Sequence, residues 1–213
     1  MTLIIVGAGQ TGRLFLEVIR RRGEVACVGF LDADPALHGR EIDGVPVLGG
    51  DDLLAAAPAG ADAVAIAVGN LRLRRLLFRR ACDLGYHLPP IIDPSANLAS
   101  SVRLGAGVFV SMGSTLLNAT AIGDLTLIGT GVNVLHDTVL GANCLIGGGA
   151  TIGAEVTMEE DVFVGVGAVL ASGRKRIGAG SRIGAGAVVI GDVPAGAFLL
   201  GNPARVIGKA NEE

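Results

Sequence analysis

His136 and the residue after it are the side chains of this chain best suited to acid–base chemistry. Of the three histidines, His38, His87 and His136, only His136 lies in the second half of the chain, in the segment VNVLHDTVLG. An imidazole has an ordinary pKa of about 6.5 and can accept a proton at neutral pH. Asp137 follows directly and could orient the ring or stabilise its cation. The pair predicts a general base, although a solvated surface histidine would have the same sequence.

A glycine-rich loop at 7–12, GAGQTG, is the second candidate site. It lies between a predicted strand and a predicted helix, where backbone N–H groups can bind phosphate. Asp32 ends the second predicted strand, and an acid there can hold a ribose hydroxyl. NAD is the obvious ligand, but about 90 residues provide only one of the two mononucleotide halves that a dinucleotide fold contains. We therefore predict a nucleotide sugar, with an unliganded tight turn as the alternative.

The elements around this loop predict an α/β domain. Predicted strands lie at 2–6, 25–32 and 63–69, and a basic amphipathic helix lies at 72–85. Strands that alternate with helices are typical of a parallel sheet. The proline-containing segment 87–96 is predicted as a linker, so we expect a Rossmann-like βαβ domain over 1–90 and a different domain over 91–213.

The second domain is built from a six-residue repeat. An apolar residue recurs at every sixth position, and the phase slips by one after Leu170; these positions are Leu98, Leu104, Val110, Leu116, Ile122, Ile128, Val134, Leu140, Ile146, Ile152, Met158, Val164, Leu170, Ile177, Ile183 and Val189. Each hexad predicts a short strand with its aliphatic residue inward, followed by a corner that glycine or a small residue allows. Three hexads close a triangular coil, so 98–189 predicts about five stacked coils of a parallel β-helix.

Composition excludes several other classes of protein. Hydrophobic residues make up 50% and charged residues 17%, which excludes a disordered chain. The mean hydropathy of +0.58 is explained by a stacked aliphatic core, because no run of about 18 apolar residues lacks charge, Pro and Gly. A net charge of −3 argues against nucleic acid, and three cysteines without a CxxC pair argue against disulfides or a Cys zinc site. The start MTLIIVGAGQ is not typical of a signal peptide. We expect a cytoplasmic protein with no membrane insertion.

The tandem [LIV]-G-x4 pattern resembles the left-handed parallel β-helix of the hexapeptide-repeat acyltransferases. The ending IGDVPAGAFLLGNPARVIG at 190–208 is similar to the close of that family. An N-terminal βαβ domain that opens with VGAGQTG narrows the resemblance to the sialic-acid and bacillosamine type of sugar O- and N-acetyltransferase. The resemblance implies a Rossmann-like domain followed by a left-handed β-helix, with acetyl-CoA as co-substrate and a homotrimer as the assembly.

The resemblance also implies roles for individual residues. His136 to Gly141 reproduces the H-[DE]-x-x-[LIV]-G setting of the family's catalytic base, with Asp137 as its carboxylate. The positions that match nucleotide-sugar contacts are Gly9, Gln10, Thr11, Asp32, Ala33, Gly69 and Asn70. Acetyl-CoA is implied to lie in a groove between neighbouring subunits, and the aligned positions are Leu145, Val166 and Ala185.

The phosphates of acetyl-CoA need positive charge, and in the repeat region beyond Arg103 this charge is found only toward the C-terminal end. No Lys or Arg lies between Arg103 and Arg174. We therefore expect Arg174, Lys175 and Arg205 to meet the donor phosphates. The alternative interpretation of the run GRKR at 173–176 is a solvated turn.

The chain departs from the family pattern at three places. Leu145 stands where relatives often have a second donor-contacting histidine, GTG at 129–131 replaces NTG, and ASGRKR at 171–176 replaces a shorter proline-containing turn. These differences concern acceptor and donor binding. Metal-dependent enzymes of this fold need three histidines around zinc, whereas the repeat contains one, so we expect no metal site.

The sequence thus favours acetyl-CoA-dependent N-acetylation of a nucleotide-linked amino sugar by direct transfer. Two alternatives stay open at this point: an O-acetyltransferase acting on a sialic-acid-like sugar, and a non-catalytic nucleotide-binding protein of a surface-polysaccharide pathway. Loss of activity on removal of His136 separates the two enzymes from the non-catalytic protein.

Overall fold

The chain folds into two compact units, Met1–Pro94 and Ser95–Glu213. A computed structural model describes residues 1–210. Within that range no helix has the length and apolar character needed to cross a membrane.

The first unit is an α/β sheet with two helices. Its elements are β1 (Thr2–Val6), α1 (Gln10–Arg22), β2 (Ala26–Leu31), β3 (Glu41–Ile42), β4 (Val45–Gly49), β5 (Ala63–Ile66), α2 (Leu71–Asp83) and β6 (Ile91–Ile92). The sheet order is β3-β4-β2-β1-β5, and all pairings are parallel except that between β3 and β4. The predicted strands and the basic helix are therefore present, and β6 lies inside the segment predicted as a linker.

Helix α1 packs on the sheet through an apolar stripe. Phe15, Leu16, Val18 and Ile19 are buried, at the spacing that places them on one face of a helix. The helix ends at Gly23, whose φ of 69° is left-handed and whose N–H donates to the carbonyl of Ile19. This face anchors the start of α1, and with it the glycine-rich loop.

The β3–β4 hairpin was not predicted from the sequence. Its two-residue turn is Asp43-Gly44, with φ values of 49° and 75°. An Asp-Gly pair between short apolar runs is a recognised signal for this type of hairpin. The proline in β4 obscured the signal, because proline lowers the expectation of a strand.

The second unit is a left-handed parallel β-helix made of very short strands. In chain order these are β7 (Asn97–Leu98), β8 (Arg103–Leu104), β9 (Phe109–Val110), β10 (Thr115–Leu116), β11 (Ala121–Ile122), β12 (Leu127–Ile128), β13 (Asn133–Val134), β14 (Val139–Leu140), β15 (Leu145–Ile146), β16 (Thr151–Ile152), β17 (Val156–Met158), β18 (Phe163–Val164), β19 (Val169–Leu170), β20 (Lys175–Ile177), β21 (Arg182–Ile183), β22 (Val188–Val189), β23 (Ala197–Leu200) and β24 (Arg205–Lys209). Every third strand pairs in parallel on the same wall. The first wall runs from β7 to β22, the second from β8 to β20, and the third from β9 to β23 with β24 antiparallel at its end.

The predicted aliphatic positions form the interior of the β-helix. Fourteen of the sixteen are buried. Leu98 and Leu104 are half-buried, because their strands lie at the ends of their walls and pair on one side only. The phase slip arises because one coil has 19 residues instead of 18, so that Met158 pairs with Ile177. Gly173, with a φ of 110°, lies in the turn that takes up the extra residue.

A second inward position precedes each aliphatic residue by two, and it often holds a hydroxyl. The side chains of Ser114, Thr126 and Thr138 each donate to a carbonyl of the following coil at 2.8 Å. Buried polar groups are costly unless they are hydrogen-bonded, and these bonds satisfy them. Cys144 occupies the same kind of position and is buried, as expected for a small apolar residue rather than a nucleophile.

Candidate active site

His136 lies on a corner of the β-helix, between the first and second walls. This corner, residues 135–138, is called the His136 corner below. Asp137 has a left-handed φ of 57°, and the residues stacked on it in the flanking coils, Ala119 and Glu155, have φ values of 57° and 59°. The strained backbone therefore belongs to the repeat. What distinguishes this corner is the pair of side chains that it carries.

The imidazole of His136 and the carboxylate of Asp137 are paired. Nδ1 of the ring lies 2.8 Å from Oδ2 of Asp137, and the two side chains are 48% and 56% exposed. A carboxylate can only accept a hydrogen bond, so this contact favours a proton on Nδ1. Nε2 of the neutral ring then keeps its lone pair and can accept a proton from a substrate.

The backbone of the His136 corner is fixed by the coils on both sides. The N–H of Asp137 donates to the carbonyl of Asn118 at 3.1 Å, and the carbonyl of His136 accepts from the N–H of Glu155 at 3.1 Å. Sequence reasoning did not single out Asn118 or Glu155. The repeat length could have identified both, because Asn118 precedes His136 by 18 residues and Glu155 follows Asp137 by 18 residues.

Three loops of the first unit converge at one edge of its sheet. Strands β1, β2 and β5 are parallel neighbours, so the segments that follow them, 7–12, 32–34 and 69–70, lie side by side. Ligands of open α/β sheets bind outside the carboxyl ends of the strands. The structure thus brings together every residue predicted to bind the nucleotide sugar: Gly9, Gln10, Thr11, Asp32, Ala33, Gly69 and Asn70.

Two glycines are required for this edge to close. Gly7 has a φ of 102°, and a Cβ added there would lie 2.7 Å from the carbonyl oxygen of Ala67. A Cβ on Gly12 would lie 1.9 Å from the carbonyl oxygen of Gly7. Both distances are below van der Waals contact, so the loop and the first turn of α1 approach too closely for any side chain.

Asp32 and Asn70 shape the loops through hydrogen bonds to the backbone. One carboxylate oxygen of Asp32 accepts from the N–H of Ala8 at 2.7 Å, and the other accepts from the N–H of Asp34 at 2.9 Å. Asn70 caps α2, since its Oδ1 accepts from the N–H of Leu73 at 2.9 Å. The acid predicted to hold a ribose therefore joins two of the loops.

The residues predicted to bind acetyl-CoA fall into two groups in the second unit. Val166 and Ala185 stack on neighbouring coils at the corner between the third and first walls, where the N–H of Gly186 donates to the carbonyl of Val166. Leu145 lies in β15 on the third wall, and Arg205 lies in β24. All four therefore lie on the third wall or on the corner that follows it, and none lies on the His136 corner.

Arg174 and Lys175 follow the turn at Gly173. This turn lies on the same edge as the His136 corner, two coils further along the β-helix. The guanidinium of Arg174 is 3.3 Å from the carboxylate of Glu155 and is 93% exposed. The ammonium of Lys175 donates to the carbonyl of Ser172. Positive charge thus lies on the same edge of the β-helix as the candidate base.

No metal centre is found among the described residues. Nowhere in residues 1–210 do three or more His, Cys, Asp or Glu side chains come together in a group that could hold a metal ion.

A left-handed β-helix of hexapeptide coils with a histidine–carboxylate corner, together with an α/β unit that has a nucleotide-type edge, defines a hexapeptide-repeat acyltransferase. Comparison with family models agrees with this class. Residues 2–81 match the PglD N-terminal domain, and residues 119–154 match the bacterial transferase hexapeptide (six repeats). A comparison with curated proteins gave no match.

Three solved structures resemble the chain over nearly its whole length. A histidine-to-asparagine mutant of perosamine N-acetyltransferase from Caulobacter crescentus, in complex with CoA and GDP-perosamine, is 38% identical, with 98% of each chain covered and a TM-score of 0.91. The acetyltransferase domain of PglB from Neisseria gonorrhoeae, in complex with acetyl coenzyme A, is 30% identical, with coverages of 97% and 98% and a TM-score of 0.90. WeeI from Acinetobacter baumannii is 28% identical, with coverages of 97% and 100% and a TM-score of 0.89.

The chain belongs to the PglD family of hexapeptide-repeat sugar acetyltransferases and is an acyltransferase. The resemblance inferred from the glycine loop, the hexads and the C-terminal ending is thereby confirmed.

Proposed function

We propose that the protein transfers the acetyl group of acetyl-CoA to the amino group of a nucleotide-linked amino sugar. The observation that carries the proposal is the 38% identity, over 98% of both chains, to an enzyme that was solved with CoA and GDP-perosamine bound. GDP-perosamine is therefore the first acceptor to test. Two features of this chain support the same reaction: the exposed His136–Asp137 pair and the three-loop edge of the first unit.

His136 acts as the general base in this proposal. The sugar amine attacks the thioester carbonyl while Nε2 of His136 takes up the proton that the nitrogen loses. As the tetrahedral intermediate collapses, the C–N bond is kept, the C–S bond breaks, and the imidazolium returns the proton to the leaving sulfur. Asp137 holds the ring through Nδ1 and stabilises its cationic form. Acetyl passes directly from sulfur to nitrogen, with no acyl-enzyme.

The first unit holds the nucleotide sugar. The N–H groups at the start of α1 are free of side-chain caps and are suited to the diphosphate. The loops at 32–34 and 69–70 border the same edge and would contact the nucleoside. Calorimetry with a GDP-sugar and with NAD tests this assignment: we expect the GDP-sugar to bind, and tight binding of NAD alone would contradict it.

We extend the proposal to a homotrimer with the donor site between subunits. Val166 and Ala185 lie on a different corner from His136, and Leu145 lies on the third wall, so one subunit does not bring these three residues to the base. In the trimer, the corner of one subunit that carries Val166 and Ala185 would face the His136 corner of a neighbouring subunit. Sedimentation velocity at micromolar concentration should give a trimer, and a stable monomer would contradict this arrangement. The cytoplasmic location expected from the sequence stays a prediction.

The activity is tested by acetyl-CoA consumption across a panel of GDP-, UDP- and dTDP-linked amino sugars, with mass detection of the product. We expect an increase of one acetyl group on the sugar and retention of that group after mild alkali, which cleaves esters and spares amides. A product that loses its acetyl group in alkali would favour O-acetylation. No turnover on any acceptor would favour the non-catalytic alternative.

A further inference from the structure

The hydroxyl of Thr138 lies on the inner side of the His136 corner. The side chain is fully buried. Its Oγ1 donates to the carbonyl of Gly153 in the next coil at 2.8 Å and lies 3.4 Å from the carbonyl of His136. Thr138 therefore joins the corner that carries the candidate base to the coil stacked on it, from the inside.

The repeat shows that the fold does not require a hydroxyl at this position. Equivalent inward positions are filled more often by Val, Ala or Cys than by Ser or Thr, and all are fully buried: Val108, Ser114, Thr120, Thr126, Val132, Cys144, Ala150, Val156, Val162, Ala168, Ser181 and Ala187. Val156 occupies it one coil further along at the same corner. Valine has nearly the shape of threonine, so the coil accepts either residue.

We propose that Thr138 is a positioning residue for the reaction, acting through His136; the inference rests on the proposed role of His136 as the base. The corner is held from outside by its backbone bonds to Asn118 and Glu155. Thr138 supplies the inner restraint, one peptide unit from Asp137 and two from His136. Since the imidazole is half-exposed and held by one side-chain contact, its position depends on how firmly this corner is fixed. A misplacement of about 1 Å can lower a rate by up to about 10²-fold.

The chain contains a matched control at another corner. Thr126 is also fully buried, and its Oγ1 donates to the carbonyl of Gly141 at the same 2.8 Å. That oxygen also accepts from the N–H of Cys144 at 3.0 Å. Thr126→Val therefore removes at least as much hydrogen bonding as Thr138→Val, but at a corner with no His136.

The experiment compares Thr138→Val, Thr138→Ser, Thr126→Val and His136→Gln in the full chain, with acetyl-CoA and GDP-perosamine. We expect Thr138→Val to lower kcat about 10-fold while both KM values stay within about 2-fold, because the bound substrates are untouched. Thr138→Ser keeps the hydroxyl and should restore most of kcat. Thr126→Val should keep the wild-type kcat, although its Tm falls by as much as that of Thr138→Val.

Two results would overturn the inference, and they are distinguishable. If His136→Gln is inactive while both valine variants keep wild-type kcat or lose it equally, Thr138 has only a structural role and the proposed base survives. If His136→Gln keeps its activity, the base assignment fails and the positioning role fails with it. Val132 and Val156 show that valine fits this position. Should Thr138→Val still not fold, Thr138→Ala, which has precedent at Ala150 and Ala168, is expected to show the same loss of kcat, and unchanged kcat in it would count against the inference.

Discussion

The two units position their functional residues in opposite ways. In the first unit, three loops separated along the chain meet because parallel strands end at one edge, and the loops are fitted to one another by Gly7, Gly12 and Asp32. In the second unit, each corner is a copy of the corner one coil away, and the candidate site differs from its neighbours only in its side chains. In the first unit, structure and the proposed binding therefore depend on the same loops, whereas in the second unit the exposed His136 and Asp137 side chains are distinct from the buried residues that hold the coils together.

This difference indicates which positions can be substituted without loss of the fold. Ala119 and Glu155 adopt the same left-handed turn as Asp137, so the corner accepts several residue types. Gly7 and Gly12 at the edge of the first unit have no such tolerance, because an added Cβ meets backbone atoms at either position. Substitutions of His136 and Asp137 should alter the rate with little change in stability, and substitutions of Gly7 or Gly12 should alter stability and nucleotide-sugar binding together.

The largest expected effect is that of His136→Ala. General-base assistance is typically worth about 10²–10⁴-fold, so kcat should fall by that range while KM for acetyl-CoA changes little. The Tm should stay within about 1–2 °C of wild type, because the side chain is half-exposed and supports no interior packing. Steady-state kinetics and thermal unfolding of the same samples check both parts. A variant that retains more than about a third of the wild-type kcat would exclude the base role.

Gly12→Ala should give the next largest effect, and it should change stability and nucleotide-sugar binding together. Its Cβ would lie 1.9 Å from the carbonyl oxygen of Gly7, so the start of α1 must move. We expect a loss of about 1–3 kcal/mol in the free energy of unfolding together with a raised KM for the nucleotide sugar. Urea unfolding and kinetics measure these.

Gly9→Ala is the matched control for stability. A Cβ there has no atom within 4 Å, and its φ of −76° suits any residue. Equal destabilisation by the two alanines would contradict the close-approach argument, and with it the contrast between the two units.

Asp137→Asn should lower kcat by about 10-fold or less. The amide oxygen can still accept the bond from Nδ1, but it lacks the charge that stabilises the imidazolium. Glu155→Gln is the control, because this carboxylate lies one coil away and pairs with Arg174. A larger loss in Asp137→Asn than in His136→Ala would show that the carboxylate has a role independent of the ring.

The smallest effect concerns stability at acid pH. The N–H of Ala179 and the Arg176 guanidinium hold the pKa of Glu159 below its ordinary value. The unfolded chain therefore binds this proton first as the pH falls, so the stabilisation is present above the ordinary glutamate pKa and is lost as the pH falls through the folded value. Glu159→Gln should have a lower Tm than wild type near neutral pH, and this difference should shrink below about pH 4. A difference that stays constant from pH 7 to pH 3 would contradict the assignment.

The sequence by itself determined the repeat and most of the elements. The six-residue spacing is local information, and an aliphatic residue at a fixed phase must point inward wherever the coil closes, which is why fourteen of sixteen interior positions are buried. The family motif around His136 and the glycine loop were also readable, because each is a contiguous run. The β3–β4 hairpin was missed although its Asp43-Gly44 turn was present.

Only the tertiary structure decided which residues meet across segments. That Asp32 joins Ala8 to Asp34, that Asn118 and Glu155 fix the His136 corner, and that Val166 lies on a different corner from His136 all depend on strand register. One extra residue, near Gly173, changes the position of every later corner relative to the six-residue count. Contacts of this kind are set by how coils and sheet strands align, and no short window of sequence contains that alignment.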